Sequence, residues 1–579
     1  MQKMRCYFLF IWLLSAGVAL AQPVHLAGVI NHYAAVNEID TCPGRILVSD
    51  TTGFRPGMSI LLIQMQGVAI VNDNVAGYGT IQHLNSAGLV ETARIDSVRF
   101  GALYLHDRPV NTYNLSGKVQ AVTFPVYPNA VVTDTLRPKP WDGLTGGVLA
   151  IRITDTLQLS APVSADAAGF RGGTPAFASN NNCSFLIPEI GYTYAAGNWR
   201  GSFKGEGLAQ SETGKEMGRG PQANGGGGGN DHNSGGGGGG SVGAGGVGGQ
   251  NNEPNPLGCH GNFPGLGGLA IPQSTGRLFL GGGGGAGHAN NGLTSGGGSG
   301  GGIIVLRAGI LTGDHPMLSA NGADVPTADG DGGGGGGAGG AIWLDVQAAP
   351  LGLTLQANGG RGADTKNNGQ NRCFGPGGGG SGGRIVTSLP GITAPAGGQP
   401  GVVAGSTNSC NGSSGSAGSG ANGSVEPLFA LPQGTIANAD PVIASGPDPV
   451  STCIGSGALF SVSLNPGNFT YQWQLNTGAG WHDIAAGQGF TGFQTDSLIL
   501  TPVTLGQNGS QFHCVVSRPF CTQITSAAAA LTVDQPPSAS FTHTVLSAGL
   551  IQFAAAGLPG INYTWDFGDG TPTVPGATI

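Results

Sequence analysis

Gly301-Gly302-Ile303-Ile304-Val305-Leu306-Arg307-Ala308 and, 38 residues on, Gly339-Gly340-Ala341-Ile342-Trp343-Leu344-Asp345-Val346 share one pattern. A glycine pair precedes a short strand whose apolar residues alternate. Ile304, Leu306 and Ala308 share a face with Arg307 opposite, as do Ile342, Leu344 and Val346 with Asp345 opposite. A period of two with a charge outside predicts a strand packed on one side. Gly146-Gly147 introduces a third copy, with Leu149, Ile151 and Ile153 against Arg152. Gly382-Gly383 introduces a shorter fourth, Ile385-Val386-Thr387, which is expected to cap the series.

A second strand follows in each complete unit: 157–159, 317–319 and 353–355. Two of these lead into Ala-Asn-Gly, at 320–322 and 357–359, which predicts a turn through positive φ. One unit cannot bury its own apolar face, so the repeat predicts a stacked, solenoid-like β region. Between the strands lie glycine runs, among them 225–229, 235–240, 281–285, 332–337 and 377–380. Such runs form flexible linkers when isolated. Inside a repeat they can instead lie side by side as polyproline-II-like strands, because no side chain separates the backbones.

The whole chain fits this reading. Gly accounts for 112 of 579 residues, and charged residues for 9% against about 25% in ordinary soluble domains. The glycines have no three-residue period, which excludes collagen. A net charge of −8 without a Lys/Arg cluster excludes a basic nucleic-acid binder. Gly costs about 1 kcal/mol per helix-interior position, which excludes a helical bundle. An all-β, multidomain chain remains.

Residues 1–21 carry Lys3 and Arg5, an apolar run from Tyr7 to Leu14, and Ala19-Leu20-Ala21. This is a secretory signal pattern, placing the chain outside the cell or on its surface. No later segment is apolar enough to span a membrane as a helix. Residues 22–137 have near-normal composition. Runs at 46–48, 59–63 and 103–105, punctuated by Gly53 and Pro56-Gly57, predict a small β-barrel or sandwich. Residues 138–430 form the Gly-rich β region.

Residues 436–534 return to normal composition, with alternation at 460–464, 471–475, 498–500 and 512–516. The run Asn508-Gly509-Ser510-Gln511-Phe512-His513-Cys514 resembles the strand-F signature of immunoglobulin-like modules, with Phe512 in place of the corner tyrosine. With Tyr471-Gln472-Trp473-Gln474, it is similar to the Ig-like repeats of bacterial surface proteins. The resemblance implies a disulfide between Cys453 and Cys521, leaving Cys514 a buried thiol. In residues 536–579, Tyr563-Thr564-Trp565-Asp566-Phe567-Gly568-Asp569-Gly570-Thr571 resembles the PKD signature. That implies a partial PKD sandwich with Trp565 in its core. Together these modules resemble those of bacterial exoproteins exported by type IX-like secretion.

Candidate site residues are few. His232 and His288 each stand three residues after a five-glycine run, with Asn nearby. Two imidazoles so placed either bind a metal or a sugar, or close the glycine strands through backbone hydrogen bonds. Asp231 and Asp364 end partial matches to a calcium-binding nonapeptide, and Asp566 and Asp569 lie in the PKD-like turn. These six are the metal-ligand candidates, and calcium is the cofactor they raise. No catalytic or cofactor-binding set stands out. The expectation is a secreted or surface protein for adhesion, matrix or polysaccharide binding, without catalysis, whose partner is an extracellular polysaccharide or a surface protein. The alternative is a secreted polysaccharide lyase or hydrolase with accessory modules.

Overall fold

The computed structural model describes residues 22–579 except 41–43, 177–190, 253–259, 315, 437–440, 466–468, 488, 518–522, 538 and 557–559. The signal pattern at 1–21 lies outside the described residues, as does Cys521 of the expected Cys453–Cys521 pair. The chain divides into two compact units, Met1–Ala437 and Asn438–Ile579, both all-β.

The first unit opens with a closed six-stranded antiparallel barrel. Around it run Val119–Phe124, Tyr33–Asp40, Arg45–Val48, Ala102–Leu105, Val90–Arg99 and Ser59–Gln64. Gly53 and Gly57 take φ of +83° and +84° in the turn before Ser59–Gln64. Ile60 and Leu62 point into the barrel with Ile46, Ile95 and Leu103. Leu61 and Ile63, on the other face, are equally buried, because the barrel's outside packs on the Gly-rich region. A strand covered on both faces has no polar side, hence the unbroken apolar run.

The Gly-rich region contributes a parallel stack. Val148–Ile153, Ile303–Thr312, Ala341–Ala348, Arg384–Thr387 and Ser424–Pro427 pair in chain order and in register: Val148 with Ile303, Ile303 with Ala341, Ala341 with Arg384, Arg384 with Ser424. Met317–Ser319 stacks on Thr354–Gln356 as expected, but in the first unit Val163–Ser164 takes the place expected of 157–159, which pairs instead with Ala130–Leu136 and with the end of Ile303–Thr312. Leu149, Ile151, Ile304, Leu306, Ile342 and Leu344 meet Leu157, Leu318 and Leu355 in one core. The expectation of one-sided packing needs correction. Val148, Ala150, Ile303, Val305, Ala341 and Trp343 on the opposite face are buried against the barrel, and only the Arg152, Arg307 and Asp345 end opens outward. Strands Val24–Gly28 and Ala130–Leu136, which composition groups with the barrel, belong to this parallel sheet.

The Ala-Asn-Gly corners also differ from expectation. Neither Asn321 and Asn358 nor Gly322 and Gly359 takes a positive φ. The asparagines form a ladder along the stack. Asn321 N donates to Asp166 Oδ1 (2.6 Å), Asn358 N to Asn321 Oδ1 (2.7 Å), and Ala396 N to Asn358 Oδ1 (2.8 Å).

The glycine runs are ordered. In Gly235–Gly240 the amides point in three directions by turns. Gly235 and Gly238 donate to the carbonyls of Gly249 and Gly246 (2.9 and 2.8 Å). Gly236 and Gly239 donate to Gly333 and Gly336 (2.8 and 2.9 Å), and Gly237 and Gly240 to Gly227 and Asn224 (2.9 and 2.7 Å). Three residues per turn with no internal bonds is the polyproline-II helix. Runs 281–286, 332–340 and 377–383 repeat the arrangement, so each helix is bonded to its neighbours on several sides. A Cβ on Gly335 would lie 2.1 Å from the Gly237 carbonyl oxygen, and one on Gly284 2.0 Å from that of Gly335. Only glycine permits this spacing. A Cys373–Cys410 disulfide joins two later turns of the region.

In the second unit, one sheet pairs Val450–Cys453, Ala529–Asp534, Gln511–Ser517, Thr470–Asn476 and Trp481–Asp483, and another pairs Ala458–Ser461, Ser497–Leu500 and Phe490–Thr491. Trp473 is buried between them, its indole N–H donating to Thr495 O (3.0 Å). Phe512 fills the corner position and packs on Phe460, ring centroids 4.7 Å apart. Cys514 is buried and Cys453 exposed. Beyond them, Phe541–Ser547 and Leu550–Ala555 form a hairpin. Trp565 lies half-buried, 5.4 Å from Phe541 and 5.9 Å from Phe553 between ring centroids.

Candidate functional site

His232 sits in the link that reverses the chain between antiparallel glycine helices 225–229 and 235–240. Asp231 and Asn233 there take φ of +65° and +54°, a conformation Asp and Asn tolerate. His288 ends the helix that begins at Gly281. The lattice brings both ends together, and His288 N donates to Ser234 O (3.0 Å). Both imidazoles are buried, at 3% and 2% exposure.

Their nitrogens are occupied. His288 Nε2 lies 2.7 Å from the Trp199 carbonyl, so it carries the proton and donates. Its Nδ1 accepts from Asn233 N (3.3 Å). His232 Nδ1 faces the Asn290 carboxamide at 3.3 Å, and Nε2 the Asn233 carboxamide at 3.4 Å. A neutral ring donates at one nitrogen and accepts at the other, so one carboxamide presents its oxygen. Burial pushes both imidazoles down to about 4, with His288 and Arg372 further disfavouring charge at His232. Nearby, burial raises the Asp331 carboxyl to about 6, against a hydrogen bond from Leu293 N and the charge of Arg372.

The structure thus brings Asp231, His232 and His288 together at one end of the lattice, in contacts that close the glycine helices. Asp364 is engaged elsewhere: Arg361 holds both carboxylate oxygens (3.0 and 2.6 Å), and Oδ1 accepts from Val402 N (2.7 Å). Asp566 Oδ1 accepts from Gly568 N (2.9 Å), and Asp569 Oδ1 from Thr571 N (3.0 Å), in tight turns of the second unit. A hydrogen bond from the Thr571 hydroxyl (2.6 Å), together with that from Thr571 N, holds the Asp569 carboxyl below its usual range. Among the described residues, no group of three or more His, Cys, Asp or Glu is arranged to hold a metal ion.

Sequence reasoning missed a cleft of about 510 Å³ lined by Gln66, Arg171, Lys204, Glu206, Glu216 and Gln222, among others. Glu206 accepts from the Trp141 indole (3.1 Å) and from Arg171 Nε (3.0 Å). The Lys204 ammonium donates to Tyr192 O (2.6 Å) and Gly220 O (2.8 Å) and lies 4.1 Å from the Tyr78 ring centroid. Burial drives its pKa well down. Lys204, Glu206, Glu216 and Gln222 lie close in sequence but in no recognisable motif, and Gln66 and Arg171 join them only through the fold.

No family model and no curated protein matches the chain. Similar solved structures are immunoglobulin domains. The first domain of Duf (Kirre) is 17% identical over 17% of this chain and 98% of its own, with a TM-score of 0.14. The Ig1–2 module of the Drosophila receptor tyrosine phosphatase DLAR is 17% identical over 18% and 57%, at 0.15. Sidekick-1 domains 1–5 are 13% identical over 21% and 23%, also at 0.15. Among the described residues no helix is long and apolar enough to cross a membrane, which does not bear on crossing by strands.

Proposed function

We propose that the protein is an exported adhesion protein that binds an extracellular polysaccharide or a surface protein and turns over nothing. The observation that carries this reading is the glycine lattice. Its interior is bonded backbone, with a Cβ excluded at most positions, so it forms a stiff platform whose chemistry lies at its ends and on the flanking strands. A repetitive, weakly charged platform suits multivalent contact, in which weak sites add through effective concentration. The immunoglobulin-like module adds a β-sandwich of a kind suited to surface recognition. The signal pattern and the PKD-like segment support export.

A second reading has one observation in its favour. The Arg171–Lys204–Glu206–Glu216 cleft places two carboxylates beside two cations, the residue types of a lyase or hydrolase site. Incubating the full chain with neutral and acidic polysaccharides, following reducing ends and unsaturated products, separates the two. Adhesion predicts retention of a polymer without product. Steady product release abolished by Glu206→Gln would establish the enzyme.

A further inference from the structure

The parallel stack sets Arg152 directly beside Arg307 in register, and Arg307 beside Asp345. Adjacent parallel strands lie about 4.8 Å apart, so the two guanidinium side chains rise side by side from one face. Like charges so placed are destabilising unless something neutralises them. Asp345 takes Arg307 Nε at 2.6 Å. The Arg152 side chain has no hydrogen-bond or ion-pair partner among the described residues, nor has that of Arg94, which the barrel brings to the same pocket. His106 and Gln433 also line this pocket, whose volume is about 410 Å³. Three of the chain's 23 Lys and Arg therefore converge in one concave site of an acidic protein. Arg presents a planar fork that matches an oxyanion bidentately.

We infer that Arg94, Arg152 and Arg307 form a binding site for the carboxylate or sulfate groups of an acidic polysaccharide. This rests on the polymer-binding reading above and names its ligand class. The pocket opens where the outward ends of the stacked strands meet the barrel, a position a chain-like ligand reaches without disturbing the core.

The test uses the full chain and immobilised polygalacturonate, dextran sulfate and uncharged dextran. Arg94→Ala/Arg152→Ala is compared with Arg55→Ala/Arg99→Ala, which removes the same charge elsewhere on the barrel. All four arginines are exposed, and matching unfolding curves verify folding. Binding to at least one anionic polymer is expected, weakening with added salt. The pocket variant should lose about tenfold or more per arginine, and the control little. Polygalacturonate and dextran sulfate tell carboxylate from sulfate recognition. Equal affinity of the two double variants, or no binding of the unaltered protein to either anionic polymer, overturns the site. Retention on uncharged dextran alone would overturn the site yet leave polymer adhesion standing. Product release would overturn adhesion whatever the pocket does.

Discussion

Gly335 stands where three glycine helices meet, and its missing side chain lets them. In Gly335→Ala the new methyl would lie 2.1 Å from Gly237 O and 2.3 Å from Gly237 C, both backbone atoms that cannot rotate away. The expected cost is about 3 kcal/mol or more, the upper end for overpacking. Gly352, with φ of +87° and open space around it, provides the comparison: Gly352→Ala should cost about 1–2 kcal/mol, from backbone strain alone. Urea denaturation of both variants checks the order, and equal loss would mean the lattice is not that tight. The two histidines act in the opposite sense, through what they must not become. Both bind protons near pH 4 when folded, against about 6.5 in the unfolded chain. Between these values the unfolded state holds more protons, so stability is fully present above pH 6.5 and falls as pH drops to 4, by roughly 3 kcal/mol per imidazole. Asp331 opposes this: raised to about 6, it is protonated earlier in the folded state and gains stability as pH falls through the same window. The net expectation is a loss, because two rings outweigh one carboxyl. Thermal unfolding of the first unit from pH 7.5 to 4 should show it, steeper in Asp331→Asn and shallower in His288→Gln.

The strands of the parallel stack are held in register by side chains at their corners. Asn358→Ala removes the acceptor for Ala396 N and should lower stability by about 1 kcal/mol, while Asn358→Asp keeps an acceptor in place and should lose less. Shifts in denaturation midpoint will separate them, and an Ala variant as stable as the parent would make the ladder ornamental. These corners mark what a single sequence reveals. The strand alternation at 148–153, 303–308 and 341–346 was legible because the apolar pattern repeats with the glycine pairs. The turn reading of Asn-Gly failed because the same pair serves a stacked corner, where the next turn of the solenoid, not local φ, decides. The unbroken run Ile60–Ile63 signals a strand buried on both faces, but what covers Leu61 and Ile63 was hidden, because the residues that pack on them lie far along the chain in the Gly-rich region. Of the candidate site, the His232–His288 pairing was visible as a duplicated spacing. Arg94, Arg152 and Arg307 were not, since 58 and 155 residues separate them and only the stack and the barrel bring them together.

At the scale of the molecule, the first unit rests on two different kinds of interior. Its sheets bury clusters such as Leu149, Leu306 and Leu344 on one face and Val305, Trp343 and Phe124 on the other. Its lattice buries peptide groups. Ordering one residue costs about 1–2 kcal/mol, and most for glycine, while a backbone hydrogen bond returns a net of about 0.5–1.5. Lattice glycines therefore come out at a net cost by themselves, and the apolar sheets beside them supply the surplus that holds the unit together. The consequence appears in the heat capacity. Exposing apolar surface raises it and exposing peptide surface lowers it, giving about 12–15 cal/mol/K per residue for ordinary domains. Calorimetry of the full chain should resolve separate transitions for the units Met1–Ala437 and Asn438–Ile579. The transition assigned to the first should carry a heat-capacity change per residue clearly below that range, and the second should fall within it. Amide exchange on the same sample is the companion measurement: protection at Gly237 and Gly336, comparable to that at Leu306, belongs with the low value. An ordinary heat-capacity change together with fast exchange at those glycines would mean that the runs are solvated chain and that the sheets stand alone.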